Sequence, residues 1–175
     1  MIAIGAAKAA PFSYPDVLED FMEDLKLRLQ NIALKKTEPF CSSCYEKAPS
    51  GCCERCHSDD LMKSLEGVGV GWGCDWVIEH LIETNLTRAE TRAAFEESVA
   101  ECYPDPVKIG WISYDVPAAI RALDPVSWDL SHSEWIDQEV EDGILVTFDG
   151  GASYYWRGAV EDFINEMEIE IENGN

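Results

Sequence analysis

The sequence predicts an α+β fold that is mainly helical, with one β-hairpin near the C-terminus and a small cysteine-rich loop near the N-terminus. Apolar residues recur three or four positions apart in several segments, which is typical of amphipathic helices. Two short apolar runs flank a glycine-rich turn near residue 150, and five cysteines fall between residues 41 and 56. With 175 residues, of which 46% are hydrophobic, the chain has enough apolar material for a core.

The N-terminal third predicts one helix followed by irregular structure. The helix covers residues 16–34, where one face carries Val17, Phe21, Leu25, Leu29 and Ile32. Residues 37–60 are polar and rich in cysteine, which indicates a structured loop. Glycine alternates with other residues from 67 to 73, and this run predicts either a connector or a distorted strand.

Two helices are predicted in the middle of the chain. Asp75 is expected to cap the first of them, which ends near Asn85. Thr87 is expected to begin the second, because Glu90 stands three residues later in the position of a capping box. Pro104 stops this second helix, since proline cannot continue a helical hydrogen-bond ladder.

Aspartate and proline mark the starts of two further helices. Asp115 begins a short helix that continues through Leu123. Asp124 begins the next helix with Pro125 at its first position, where the missing N–H costs nothing. Gly143 ends this helix.

The C-terminal segment predicts a hairpin and a final helix. Residues 144–148 and 152–156 flank Asp149, Gly150 and Gly151, a combination that favours a tight turn between two strands. The final helix is amphipathic, with an apolar face made of Val160, Phe163, Ile164, Met167 and Ile171.

Charge divides the chain into two unequal parts. Residues 1–58 contain eight acidic and seven basic residues, whereas residues 59–175 contain twenty-six acidic and six basic residues. We therefore predict an N-terminal unit over 1–66, formed by the first helix and the cysteine loop, and an acidic domain over 67–175.

The formal net charge of −21 limits the classes of partner. It disfavours direct binding to nucleic acid or to an anionic membrane, and it favours a basic protein. The sequence has no apolar stretch long enough to span a membrane, and its start does not match an export signal, so we expect a cytoplasmic protein.

Two CxxC pairs predict a structural zinc site. Cys41 and Cys44 form the first pair, and Cys53 and Cys56 form the second after eight intervening residues. Tetrahedral Zn²⁺ requires four thiolate or imidazole ligands on short turning segments, and four protein ligands leave no open position for catalysis. Residues 41–57 resemble the paired knuckles of zinc-ribbon and treble-clef modules. This interpretation leaves open whether Cys52 or His57 replaces one of the four ligands.

Disulfide bonds are the competing interpretation of these cysteines. They require an oxidising compartment, and the total of seven cysteines is odd. A redox-active CxxC is disfavoured as well, because no βαβ pattern surrounds either pair.

Two predicted C-terminal helices carry the candidate partner-binding residues. Like charges four positions apart on a helix repel one another, so such a pattern lowers stability unless a cationic partner offsets it. The candidates are Asp129, Glu134, Asp137, Glu139, Glu141, Asp142, Glu161, Asp162, Glu166 and Glu168. The alternatives are an acidic surface that only maintains solubility and a surface adapted to high salt.

Small size, acidity and a zinc loop together resemble the phage- and plasmid-borne anti-defence proteins that mimic DNA, of the anti-restriction or anti-CRISPR type. This resemblance implies an inhibitor that blocks the basic nucleic-acid groove of a host restriction or CRISPR protein. Residues 124–165 also look similar to C-terminal segments of small proteins on mobile elements, so a zinc-stabilised protein–protein adaptor or regulator from such an element is the alternative.

An enzyme is not expected from the sequence. It contains no GxSxG, Walker A, HExxH or EF-hand motif. His132 lies near Asp129 and Ser133, but on one helix these residues are interpreted as surface neighbours and not as a catalytic triad.

Overall fold

The computed structural model describes the backbone of residues 14–174 and the side chains of residues 21–174. Within that range the helices are α1 (Tyr14–Lys36), α2 (Asp75–Asn85), α3 (Thr91–Cys102), α4 (Val116–Leu123), α5 (Pro125–Glu141) and α6 (Arg157–Asn173). The mainly helical α+β class is thereby confirmed. Val17, a predicted apolar position of α1, lies outside the described side chains.

The strands are short and pair antiparallel in three separate sheets. The largest sheet has the order β2-β1-β3-β4, formed by β1 (Glu38–Cys41), β2 (Glu46–Lys47), β3 (Met62–Leu65) and β4 (Gly69–Gly71). The two smaller sheets pair β5 (Val107–Ile109) with β6 (Ile112–Tyr114) and β7 (Leu145–Val146) with β8 (Tyr155–Trp156). The predicted cysteine-rich loop, residues 37–60, contains β1 and β2 and otherwise consists of turns and irregular structure, and β4 lies in the alternating glycine run.

The starts of α4 and α5 match the sequence prediction. The Asp115 carboxylate accepts a hydrogen bond from the Ala118 N–H at 3.1 Å. The Asp124 carboxylate accepts from the Ser127 N–H at 3.0 Å, and these bonds from Ser127 hold the pKa of Asp124 below its usual value. Both helices are thus capped by local chemistry that is visible in the sequence.

The predicted starts of α2 and α3 were wrong. Cys74 occupies the N-cap of α2 without a side-chain bond, and Asp75 belongs to the first turn. α3 begins at Thr91 instead of Thr87, and its N-cap Glu90 forms no capping bond. The delay has a tertiary cause, because the Ala89 N–H donates to the Tyr154 carbonyl at 2.7 Å and holds this segment outside the helix.

One core joins α1, α2, α6 and the β7–β8 pair. Its largest buried members are Leu25, Leu29, Ile32, Val77, Leu81, Ile82, Val146, Tyr155, Val160, Phe163 and Ile164. Leu65 of β3 and Trp76 of α2 pack against this core and attach the four-stranded sheet to it. The predicted boundary after residue 66 lies in the turn between β3 and β4, which pair with each other.

A second apolar group holds α3, α4 and α5 together. The rings of Phe95 on α3 and Trp128 on α5 lie 4.8 Å apart, and both side chains are buried. Such aromatic contacts add about 0.5–1.5 kcal/mol to the burial of the rings themselves.

The C-terminal strands are shorter than predicted, and their connection is wider. Residues 147–154 link β7 to β8, where a three-residue turn was expected. The Asp149 Oδ1 atom accepts hydrogen bonds from the Thr147 hydroxyl and the Ser153 N–H, both at 2.9 Å. These bonds organise a loop in place of a tight turn.

The β5–β6 hairpin was missed by the sequence analysis. Gly110, with φ 65°, and Trp111 form its two-residue connection. The available signal was a pair of three-residue alternating runs around a glycine, which is typical of a hairpin. Pro104 and Pro106 were interpreted only as the end of the preceding helix.

Candidate metal centre and acidic helices

Four cysteines meet at one edge of the four-stranded sheet. Cys41 ends β1, Cys44 follows in the turn to β2, and Cys53 and Cys56 lie in the connection from β2 to β3. Their sulfur atoms all lie within 4.8 Å of one another. The structure therefore brings together the four residues that the spacing predicts, and the cluster is compatible with a structural metal site.

Two turns of the same geometry present these sulfurs. The Tyr45 N–H donates to the Cys41 carbonyl at 2.9 Å, and the His57 N–H donates to the Cys53 carbonyl at 2.8 Å. Tyr45 and His57 both adopt positive φ, at 57° and 59°. This backbone conformation costs a non-glycine residue about 1–2 kcal/mol, so the surrounding contacts must hold it. Sequence analysis missed this role of the two residues because neither is a glycine.

The electrostatics of the cluster favour a bound cation. Backbone N–H groups of Cys56 and Arg55 hydrogen-bond the Cys53 sulfur and lower the pKa of Cys53 to about 7. A hydrogen bond with Cys56 and partial desolvation raise the pKa of Cys44 to about 12. The Cys53 thiol thus ionises most readily near neutral pH, whereas the raised pKa values of Cys44 and Cys56 oppose their ionisation, and a bound cation would offset this effect.

The donor set and its dimensions fit a tetrahedral metal ion. Zn–S bonds of about 2.3 Å place tetrahedral ligands about 3.8 Å apart. The Cys41 and Cys56 sulfurs lie 3.6 Å apart, and no pair in the cluster exceeds 4.8 Å. Small side-chain adjustments would therefore place four sulfurs around one ion, with no position left for a substrate.

The two alternative ligands lie outside the cluster. The Cys52 sulfur contacts the Cys53 carbonyl at 3.9 Å and is not among the four grouped sulfurs. His57 contributes its backbone to the second turn, but its imidazole is not part of the group.

The predicted acidic residues differ in their exposure. Asp129, Glu134, Asp137, Glu141, Asp142, Asp162 and Glu166 are exposed, and Glu139, Glu161 and Glu168 are half-buried. Among the residues that the structure describes, three of these ten have a basic partner: Asp129 with Arg92 at 3.1 Å, Glu161 with Arg157 at 4.0 Å and Glu168 with Arg28 at 2.6 Å. The other seven have no basic side chain within 4.0 Å in that part of the chain.

Glu168, one of the candidate partner-binding residues, is paired within the chain and does not point freely into solvent. The Arg28 Nε and Nη2 atoms donate to its two carboxylate oxygens at 3.0 and 2.6 Å, and Arg28 also donates to Asn165. This paired geometry joins α1 to α6 and holds the pKa of Glu168 below its usual value. Glu168 is a structural residue, because its charge is already neutralised within the chain.

Three of the unpaired acids, Glu139, Glu141 and Asp142, lie at the C-terminal end of α5, where a helix tolerates negative charge least. The last turns of α5 and α6 contain no basic residue, although a helix C-terminus carries partial negative charge. Burial and the nearby Asp142 raise the pKa of Glu139, which lies in the last turn of α5. Each such placement costs about 0.3–1 kcal/mol at low ionic strength.

His132 is a core residue and not a surface neighbour of Asp129. It is buried beside Phe95 and Trp135, with ring centroids 5.6 and 6.5 Å away. Desolvation lowers its pKa, so burial in this aromatic group favours the neutral imidazole. This burial could not be predicted from the sequence, because it depends on which helices pack around the histidine.

Comparisons of the chain with protein-family models, with curated proteins and with solved structures found no match. None of the helices in the described part of the chain combines the length and the apolar character needed to cross a bilayer.

Proposed function

We propose that this protein is an acidic decoy that occupies the basic nucleic-acid groove of another protein. The observation that carries the proposal is the set of unpaired carboxylates on α5 and α6. The acidic helices of DNA-mimicking anti-defence proteins have the same charge character, so a restriction or CRISPR protein of the host is the proposed partner. Under this proposal the protein is not an enzyme, does not bind nucleic acid itself, and acts in the cytoplasm.

Charge density along α5 supports this proposal. Glu134, Asp137, Glu139, Glu141 and Asp142 lie within about 12 Å of helix axis, at a rise of about 1.5 Å per residue. That is about one negative charge per 2–3 Å, close to the value of about one per 1.7 Å for duplex DNA. Glu139 is half-buried on the opposite side of the helix, so a groove lined with lysine and arginine would meet the other four charges over this length.

The helices also make the charges available without an ordering cost. On α6, Asp162 and Glu166 stand one turn apart and are exposed, while Phe163 and Ile164 are buried in the core. A rigid helix holds these carboxylates at fixed spacing, so binding does not have to order a flexible tail.

In this proposal zinc is the metal, and it acts as a structural ion. Four thiolates on two short turns are the ligand set that zinc favours among biological metals. The ion would link β1 to the β2–β3 connection and would have no catalytic role. A reducing compartment is required, because disulfides would consume the ligands.

A zinc-stabilised adaptor is the second candidate, and exposed aromatic residues of the metal module, which comprises β1 to β4 over residues 38–71, favour it. Tyr45 is largely exposed beside the metal cluster, and Trp72 is exposed just after β4. Aromatic residues of this kind are common in protein–protein contacts. An adaptor would use this module for docking and the acidic helices for solubility.

Two matched variants separate the proposals. The first replaces Asp137, Glu141, Asp162 and Glu166 with the corresponding amides, and the second does the same with Glu54, Asp59, Asp60 and Glu66 of the metal module. All eight side chains are exposed, and both variants remove four negative charges. They differ only in which part of the surface loses them.

The measurement begins with a partner captured by the full chain from nuclease-treated lysate of a host cell. Binding of that purified partner is then measured at several salt concentrations and in competition with duplex DNA. At about 0.5 kcal/mol for each exposed ion pair, the helix variant should bind roughly 30-fold more weakly. DNA should compete, and affinity should fall steeply with salt. Wild-type affinity of the helix variant together with weak binding by the module variant would support the adaptor and reject the decoy.

A further inference from the structure

A cavity of about 240 Å³ opens between α1, α2 and the loop that joins β7 to β8. Its floor is apolar and consists mainly of Leu29, Ile82 and Tyr155, all of which are buried. Ile78 and Phe148 form the walls. No residue of the metal cluster or of the acidic α5 and α6 contributes to it, so the cavity is separate from both.

The rim of this cavity is strongly acidic. Asp75, Glu79 and Glu83 follow one another at four-residue intervals on α2 and line its edge, and Asp149 lines the edge on the loop side. Lys26 of α1 is the basic residue of the lining. An apolar floor below a ring of carboxylates is complementary to a side chain with an apolar stem and a positively charged end.

Asp149 is fixed as an anion. Its partial burial acts to raise the pKa of the carboxyl, but hydrogen bonds from the Ser153 N–H and the Thr147 hydroxyl outweigh that effect and lower it. Both bonds reach the same oxygen, Oδ1. The Asp149 carboxylate is exposed at the rim of the cavity, where it can pair with a bound cation.

We propose that this cavity receives an arginine side chain of a protein partner. The volume is smaller than the roughly 300–1,000 Å³ of sites for drug-sized ligands, and it suits one side chain whose backbone stays outside. Guanidinium is favoured over ammonium because it is more weakly hydrated, stacks on aromatic faces such as Phe148 and Tyr155, and pairs with carboxylates through a planar fork. Arginine is also enriched among the residues that dominate binding energy at interfaces.

The rim already holds one guanidinium of this chain. The Arg88 Nη2 atom lies 3.1 Å from Glu83 Oε1. Among the described residues, no basic side chain lies within 4.0 Å of the Asp75 or Glu79 carboxylates. The free part of the rim is thus the edge formed by Asp75, Glu79 and Asp149. This assignment rests on the proposed basic partner, but it can fail separately from the decoy function.

The test uses N-acetyl-arginine N-methylamide as the probe and the full chain as the receptor. Backbone amide shifts are followed by NMR during titration, with N-acetyl-citrulline N-methylamide as the uncharged analogue of nearly the same shape. We expect shifts concentrated at Ile78, Ile82 and Phe148 and a dissociation constant on the order of 1 mM. The citrulline compound should bind about tenfold more weakly, because it lacks the charge that the rim recognises.

Two variants and one control locate the binding. Glu79→Gln should lower the affinity for the probe about two- to fivefold, as expected for the loss of one exposed ion pair. Lys26→Gln should raise this affinity by a similar factor, because it removes the positive charge of the lining. Glu97→Gln on α3 removes an exposed carboxylate away from the cavity and should change nothing.

Three results would overturn the proposal: equal binding of both compounds, shifts outside the cavity, or no response to Glu79→Gln. Tighter binding of free butylguanidinium than of the capped arginine would also reject a protein side chain, because it would indicate a small-molecule site. If the probe does not bind to the cavity while DNA still competes with this protein for the captured partner, only the arginine assignment is rejected.

Discussion

Replacing Cys53 with serine should unfold the metal module and leave the helical core intact. Cys53 is 1% exposed and contributes one of the four clustered sulfurs. Serine keeps the size of the side chain but removes the thiolate, which lowers affinity for a soft metal ion. The neighbouring Cys52→Ser is the matched control, because Cys52 lies outside the cluster.

The expected loss of stability follows from the small apolar surface that the metal module buries. Between β1 and β4 the buried hydrophobic residues are Cys41, Ala48 and Cys53. Burying even a leucine contributes only about 1.5–3 kcal/mol, so these three small residues cannot hold the sheet by themselves. Structural zinc in comparable modules supplies about 10–16 kcal/mol at pH 7. The free energy lost with one ligand should therefore exceed the free energy of unfolding of the module, so the module should unfold.

Metal analysis and hydrogen exchange are the assays. Wild type and Cys52→Ser should contain one zinc ion per chain and protect the amides of β1 and β3, while Cys53→Ser should lose both zinc and protection. Helical circular dichroism should change little, because α1, α2 and α6 share a separate core. The reasoning would be refuted if Cys53→Ser kept its zinc and its protection, or if Cys52→Ser behaved in the same way as Cys53→Ser.

Substitutions at three further positions test the ion pair, the helix-end charge and the helix cap, each by thermal unfolding. Glu168→Gln should destabilise by about 1 kcal/mol at pH 7 through loss of the Arg28 pair. Because the pKa of Glu168 is lowered in the folded protein, this difference should vanish as the pH falls from the ordinary 4.5 through the folded-state value. Glu139→Gln should stabilise by about 0.3–1 kcal/mol at neutral pH, since its pKa is raised, and the gain should disappear once acid protonates Glu139 itself. Asp124→Ala should cost about 1 kcal/mol through loss of the α5 cap, and Asp124→Asn should cost less. An unchanged melting temperature in any of these would contradict the contact on which it depends.

The features that could be predicted from the sequence are those that depend on residues close together in the chain. Four cysteines at CxxC spacing need only two short turns to meet, so the ligand set could be predicted without knowing the sheet that carries them. Asp115 and Asp124 cap their helices through bonds to N–H groups three residues ahead. Such bonds form wherever the local backbone permits them.

Which acidic residues are unpaired and where the cavity forms depend on contacts between segments that are far apart in the chain. Glu168 resembles its acidic neighbours in sequence, but it pairs with Arg28, 140 positions away, because α1 packs on α6. The sequence predicts His132 as a surface residue of α5, but the packing of α3 against α5 buries it beside Phe95. The acidic rim around the 240 Å³ cavity exists because the β7–β8 loop brings Asp149 opposite α2. Contacts over such separations depend on how the helices pack, and helical periodicity alone does not specify that.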